Sequence, residues 1–264
     1  MAAQEHNGRI RVDERGGVVW LTLDHEAMRN AMSDDMTGQW AAEIARLRRD
    51  RSVRCVVVTG AGSAFCSGGN LAWIGSEPDK SVDELRDRME PFYRAWLSIR
   101  GLEVPTVAAV NGPAVGAGLC LALACDLRYA QRGASMSVPF VRLGMHAGMA
   151  ATTMLPEAIG MAAARDLLLT GRSVDAAEAL RLGLVSAVFD DVVAGVGAIA
   201  AQIAANAPIA TRLTKIALRD GGHADFEAGL QWEALAQPVT LATADLQEGL
   251  AAARERRPPE FTGR

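Results

Sequence analysis

The residues best placed for chemistry lie in two glycine-rich loops: Gly60-Ala61-Gly62-Ser63-Ala64-Phe65-Cys66-Ser67-Gly68-Gly69-Asn70 and Asn111-Gly112-Pro113-Ala114-Val115-Gly116-Ala117-Gly118. Each follows an apolar run, 54–60 and 105–110, and each opens a helix. Backbone N–H groups at a helix start lack intrahelical partners, and the helix dipole adds partial positive charge. Small residues let a ligand approach those donors closely. The donor regions are Gly68-Gly69 in the first loop and Gly116-Ala117-Gly118 in the second. Three chemistries use such loops. A dinucleotide fingerprint needs G-x-G-x-x-G; Gly116-Ala117-Gly118-Leu119-Cys120-Leu121 begins that way and lacks the third small residue. A P-loop needs G-K-[ST], which neither loop contains. An oxyanion hole needs only one N–H from each loop, both aimed at one carbonyl oxygen of an acyl compound. The same glycines can also do no more than permit tight turns.

The surrounding pattern reads as α/β. Strands are expected at 18–23, 54–60, 105–110, 127–130 and 135–138, and again after Gly183-Leu184-Val185. Helices are expected from Ser33 or Asp34 to about Arg49, over 79–100, from Ala117 to Cys125, and over 152–159 and 162–170. Another starts at the capping pattern Ser173-Val174-Asp175-Ala176-Ala177-Glu178. From Asp190 to Arg257 nearly everything reads as helix, broken at Pro208, Gly221-Gly222 and Pro238. Strands and helices alternating, then helices alone, make an α/β core over 1–200 and a helical region over 201–264.

Composition narrows the function classes. The chain has 264 residues, a net charge of −4, half its residues apolar, 5% aromatic and 26 glycines. That suits a globular core with close backbone packing, and gives no electrostatic footprint for nucleic acid. Four cysteines at 55, 66, 120 and 125 form no C-x-x-C pair, so no metal site is expected. The polar stretch 1–11 has no signal-peptide pattern, which points to reduced thiols and a cytoplasmic location. The most apolar stretch, 104–125, is broken by Pro105, Asn111-Gly112-Pro113, Gly116 and Gly118, so a strand, turn and buried helix fit better than a membrane span.

Val104-Pro105-Thr106-Val107-Ala108-Ala109-Val110-Asn111-Gly112, with Ala114, Gly116, Gly118, Leu121-Ala122-Leu123 and Cys125-Asp126, resembles the signature of the enoyl-CoA hydratase/isomerase (crotonase) family. Phe65-Cys66-Ser67-Gly68-Gly69-Asn70-Leu71 resembles that family's other loop. Leu169-Thr170-Gly171-Arg172, Ala177-Glu178-Ala179 and Gly183-Leu184-Val185 are similar to its later block, and Glu248-Gly249, Glu255-Arg256-Arg257-Pro258-Pro259 and Phe261-Thr262-Gly263-Arg264 to its tail. The resemblance runs in order from Val18 to Arg264. It implies a spiral of ββα units, a C-terminal helical trimerisation region, and a homotrimer or a hexamer made of two trimers. It implies an acyl-CoA thioester as ligand, with coenzyme A part of the substrate and no separate cofactor. The oxyanion hole would be the backbone N–H groups of Gly69 and Ala117. Arg29 and Ala31, with Ser67 and Gly68, would hold the nucleotide end of CoA. Gly116 and Phe140 would lie beside the substrate. Arg256 matches a basic position that reaches CoA phosphate from a neighbouring subunit.

The resemblance also implies two glutamates in the hydratases. Here their positions hold Cys120 and Phe140. Phenylalanine cannot transfer a proton, so hydration by paired carboxylates is not expected. Isomerase, decarboxylase and hydrolase chemistry stay open, as does a binding protein without catalysis. Cys120 falls in the first turn after Ala117, where a helix dipole lowers a thiol's pKa, or is a small core residue. His146, in Leu143-Gly144-Met145-His146-Ala147-Gly148, is a candidate proton shuttle or a plain loop histidine. His6, His25 and His223 read as solvated, Cys66 as packing under its loop, and Asp126 as structural. Met145, Met149 and Met154 either line an acyl pocket or belong to the core.

Overall fold

The computed structural model describes residues 8–77, 79–219, 222 and 225–264; the readings of His6, of His223 and of a break at Gly221 lie outside them. β1 (Arg9–Arg15) and β2 (Val18–Asp24) pair antiparallel across Gly16-Gly17. β1 precedes the first expected strand. Its RIRVDER sequence is charged at most positions and almost wholly exposed, so no apolar alternation announces it; charge on an edge strand deters stray pairing.

α1 (Asp34–Leu47) starts where the Ser33 side chain accepts from Met36 N–H, and buries Met36, Trp40, Ile44 and Leu47 at helical spacing. β3 (Cys55–Gly60) is buried at every residue, as a central parallel strand should be. After the short α2 (Leu71–Ile74), α3 (Val82–Leu97) opens on a Ser81/Glu84 capping box. α3 packs on α1 through Trp96 and Trp40, stacked with ring centroids 5.1 Å apart. β4 (Thr106–Val110), β5 (Ala114–Val115) and α4 (Ala117–Leu123) take up the apolar 104–125 stretch, and all of α4 is buried. β6 (Leu127–Gln131) and β7 (Ser135–Ser137) follow. α5 (Ala151–Thr170) is two helical pieces, split where Gly160 takes φ 75°.

β8 (Ser173–Asp175) and α6 (Ala176–Leu182) correct the expected helix start. Ser173 is in the strand, and the cap is Asp175, whose carboxylate accepts from Glu178 N–H at 2.7 Å. β9 (Ala187–Phe189) leads to α7 (Val192–Ala204), α8 (Pro208–Leu218), α9 (Phe226–Leu241) and α10 (Ala244–Glu255). The break expected at Pro238 is absent: α9 runs through it to Leu241, the proline sitting in the last turn where little helix remains to kink.

One six-stranded sheet has the order β1-β2-β3-β4-β6-β9, parallel except for β1. A smaller sheet runs β5-β7-β8. α7 lies across the large sheet, Val192, Val196 and Ala200 packing on Val57, Val107 and Ala109. No single helix among the described residues is long and apolar enough to cross a membrane.

Asn30 ties the loop after β2 to the loop after β3. It is fully buried at φ 58°, a conformation asparagine tolerates. Its Nδ2 donates to the carbonyls of Ala61 (2.9 Å) and Ala64 (2.8 Å), and its Oδ1 accepts from His25 N–H at 2.9 Å. Asn30→Ala removes the partners of His25 N–H and the Ala61 carbonyl and leaves the Ala64 carbonyl only the longer bond from Asn111 Nδ2 at 3.4 Å, with an expected loss of about 1–3 kcal/mol, read as a lower urea midpoint at unchanged slope.

Candidate active site

The two glycine loops are built into one another. Phe65 N–H donates to the Pro113 carbonyl at 3.1 Å and Val115 N–H to the Cys66 carbonyl at 2.9 Å, around a parallel bridge between Cys66 and Ala114. Only glycine allows this approach. A Cβ on Gly118 would stand 2.2 Å from the Cys66 carbonyl oxygen; one on Gly68, itself at φ 95°, would stand 2.6 Å from Val115 O and 3.4 Å from Ala117 N. The first loop therefore passes directly beside the start of α4.

Several backbone groups around these donors are engaged. Met32 N–H donates to the Gly68 carbonyl at 2.8 Å, Gly116 N–H to Ser137 O at 2.9 Å, and Cys120 N–H back to Gly116 O at 3.0 Å. Ala117 is the first residue of α4, so its N–H has no acceptor within the helix. Neither it nor the Gly69 N–H donates to a loop carbonyl among the described residues.

A cavity opens at this junction. Ser67, Gly68 and Gly69 line it from one loop, Gly116 and Ala117 from the other. Phe140, in the 3-10 turn Pro139–Leu143, and His146 also line it, with Phe92 and Tyr93 of α3 and with Met145 and Met149. A wider groove of about 710 Å³ under α8 contains none of these residues. There Asp126 is structural, as expected: its carboxylate accepts from Thr106 N–H (2.7 Å) and Oγ1–H (2.8 Å) and pairs with the buried Lys215 at 2.8 Å.

Cys120 stands one turn beyond Ala117 but behind the cavity wall. It is fully buried, with Sγ 3.8 Å from the Gly148 carbonyl. The thiol pKa goes the opposite way from the helix-dipole expectation: burial pushes it up to about 12, because loss of solvation around a thiolate outweighs what a seven-residue helix supplies. Burial does the same to Cys55, Cys66 and Cys125. Cys66 packs under its loop, its thiol donating to Asn30 O at 3.1 Å. The native protein at pH 8 should therefore release no chromophore from a disulfide reagent, and four equivalents once unfolded in guanidinium.

His146 is exposed at the cavity edge, with Nδ1 2.7 Å from the Ala147 carbonyl. Arg29 and Ala31 do not reach the cavity; they flank Asn30, and the Arg29 carbonyl takes the Ser67 N–H at 2.9 Å. Arg256 is exposed at the end of α10, outside this chain's cavity, while its neighbour Arg257 is held by Glu248 at 2.6 Å. Met145 and Met149 line the cavity, and Met154 borders the other groove. Sequence reasoning missed Tyr93. Residues 79–100 read only as an amphipathic helix; of its aromatics Phe92 and Trp96 are buried, while Tyr93 is half-buried and lines the cavity.

The sequence pattern of the enoyl-CoA hydratase/isomerase family matches residues 13–264. A relative in Thermus thermophilus that bears an enoyl-CoA hydratase name is 38% identical over 250 residues, 94% of this chain and 98% of that protein. The mouse mitochondrial methylglutaconyl-CoA hydratase is 32% identical over 262 residues, 95% of this chain and 81% of that one. The crystal structure of an enoyl-CoA hydratase from Bacillus anthracis superposes with a TM-score of 0.91 at 33% identity, over 97% of this chain and all of that one.

Proposed function

This chain belongs to the enoyl-CoA hydratase/isomerase (crotonase) family, with that family's α/β fold and C-terminal helices, and we propose that it polarises an acyl-CoA thioester carbonyl between the N–H groups of Gly69 and Ala117. The observation that carries this reading is the shared cavity: two interlocked loops bring small residues and the uncommitted Ala117 N–H to one wall. Negative charge on the thioester oxygen, in an enolate or a tetrahedral intermediate, is what such donors stabilise. Arg29, Ala31, Ser67 and Gly68 would hold the nucleotide end of CoA. Arg256, whose side chain enters no ion pair among the described residues, has the charge and reach to meet CoA phosphate on a neighbouring subunit.

Assembly is part of the proposal. α9 has no buried residue and exposes Phe226, Leu230, Leu235, Val239 and Leu241. An apolar helix face left bare in one chain supports a trimer, or two trimers, built by the region after residue 200. Light scattering at micromolar concentration should give a trimer or hexamer; a monomer there would contradict it. Four buried free thiols support a reducing compartment such as the cytoplasm.

The deciding experiment is a panel of acyl-CoA thioesters read for turnover and for thermal stabilisation. Turnover names the reaction. The second reading, a binding protein without catalysis, is favoured by the loss of both carboxylates, Cys120 and Phe140 standing in their places; it predicts stabilisation with no turnover. No stabilisation by any thioester would sink both.

A further inference from the structure

Catalysis at an enolate needs a proton source as well as an oxyanion hole, and the cavity contains few groups able to serve. Among the described residues no Asp, Glu or Lys lines it. Ser67 Oγ already donates to the Met28 carbonyl at 3.0 Å. The Cys120 thiol lies behind the wall. His146 sits at the exposed edge with one ring nitrogen against the Ala147 carbonyl.

Tyr93 differs from all of these. It is half-buried on α3, lines the cavity beside Gly69 and Ala117, and makes no hydrogen bond among the described residues. Its hydroxyl rests on Gly148: a Cβ built there would stand 2.4 Å from the hydroxyl oxygen, so any larger residue there would displace the phenol. The turn that presents Gly148 is strained, since the next two residues, Met149 and Ala150, both take φ 54°. The Gly148 carbonyl is also the group that Cys120 Sγ faces at 3.8 Å, which places the phenol next to one of the two positions that carry carboxylates in the hydratases. A strained turn, a glycine cleared of its side chain and an uncommitted hydroxyl thus meet where the usual acid is missing.

We infer that Tyr93 is the proton donor of this site, acting on the α-carbon of a thioester enolate; this rests on the acyl-CoA reading above. The enolate electron pair forms the new Cα–H bond as the phenol O–H bond breaks. The thioester oxygen returns to a neutral carbonyl, and the phenolate recovers a proton from water at the cavity mouth. Burial raises the phenol above its ordinary pKa, with the nearby Cys120 adding to the effect, so at neutral pH the group is protonated and ready to donate. By microscopic reversibility the phenolate form of the same oxygen removes a Cα hydrogen, so exchange from a saturated thioester grows as pH rises toward the raised pKa of the phenol.

The test uses butyryl-CoA in D2O over a pD series rising into the alkaline range, each point corrected for exchange without protein, with deuterium at Cα read by mass spectrometry and affinity read by calorimetry. Tyr93→Phe keeps the ring and should slow exchange by about 10²-fold with affinity unchanged. Gly148→Ala pushes a methyl group into the hydroxyl and should also slow exchange, but should add little to Tyr93→Phe, since the group it displaces is already gone. Undiminished exchange in Tyr93→Phe, or full additivity of the two changes, overturns the inference. If the unsubstituted protein binds butyryl-CoA without exchanging it, the donor role falls and the acyl-CoA reading stands. If it does not bind at all, both fall.

Discussion

Turnover on a thioester substrate should fall by about 10²–10³-fold in Ala117→Pro, with the fold retained. Proline fits the first position of a helix, where the N–H has no intrahelical acceptor to lose. Ala117 holds that position in α4, and its N–H enters no loop hydrogen bond among the described residues. The preceding residue must avoid the α region, and Gly116 already does, at φ 54° and ψ −118°. The substitution therefore removes one donor and little else. Because the oxyanion carries more charge in the transition state than the carbonyl does in the bound substrate, kcat should drop further than affinity. Steady-state kinetics with a thermal melt on the same sample decides it. Unchanged kcat in a variant that melts like the parent removes Ala117 from the chemistry.

The site's frame was legible because it rests on glycine and on strand ends. Gly68 and Gly118 stand where a Cβ would strike backbone, and Gly116 holds φ 54°, a conformation that favours glycine; such positions leave a mark in sequence. The buried strands β3 and β4 were readable as continuous apolar runs for the same physical reason, having no polar face. β1 was hidden because its one neighbour leaves most of its length to solvent and its charges mimic a loop. Tyr93 was hidden for the opposite reason: its spacing with Phe92 and Trp96 is that of a packed helix face, and only the tertiary position of Gly148 separates it from them. For Cys120 the sequence left an activated thiol and a small core residue both open, because a helix start is visible in sequence and complete burial is not; burial selects the core residue.

Crotonyl-CoA should be hydrated at least about 10³-fold more slowly than by a relative that keeps both glutamates, since each positioned acid or base contributes about 10²–10⁴-fold. The two substitute groups cannot act for them. Phe140 has no transferable proton and turns its ring toward Gly116, where a Cβ would meet it at 3.7 Å. Cys120 stays a neutral thiol at any pH well below its value of about 12, and does not line the cavity. Nothing among the lining residues aligns a water and removes its proton in one step. The loss of enoyl absorbance measures the rate directly, and a turnover near the ~10 s⁻¹ of an ordinary enzyme would overturn the prediction. Cys120→Glu with Phe140→Glu puts two carboxyl groups into a wall that is now apolar. Their desolvation works against the fold, so the double variant should melt below the parent before it gains any hydration. The proposed oxyanion hole would still favour an enolate without either acid, and the phenol inferred as donor would suffice to protonate it. That combination suits reactions that begin or end at Cα and do not add water.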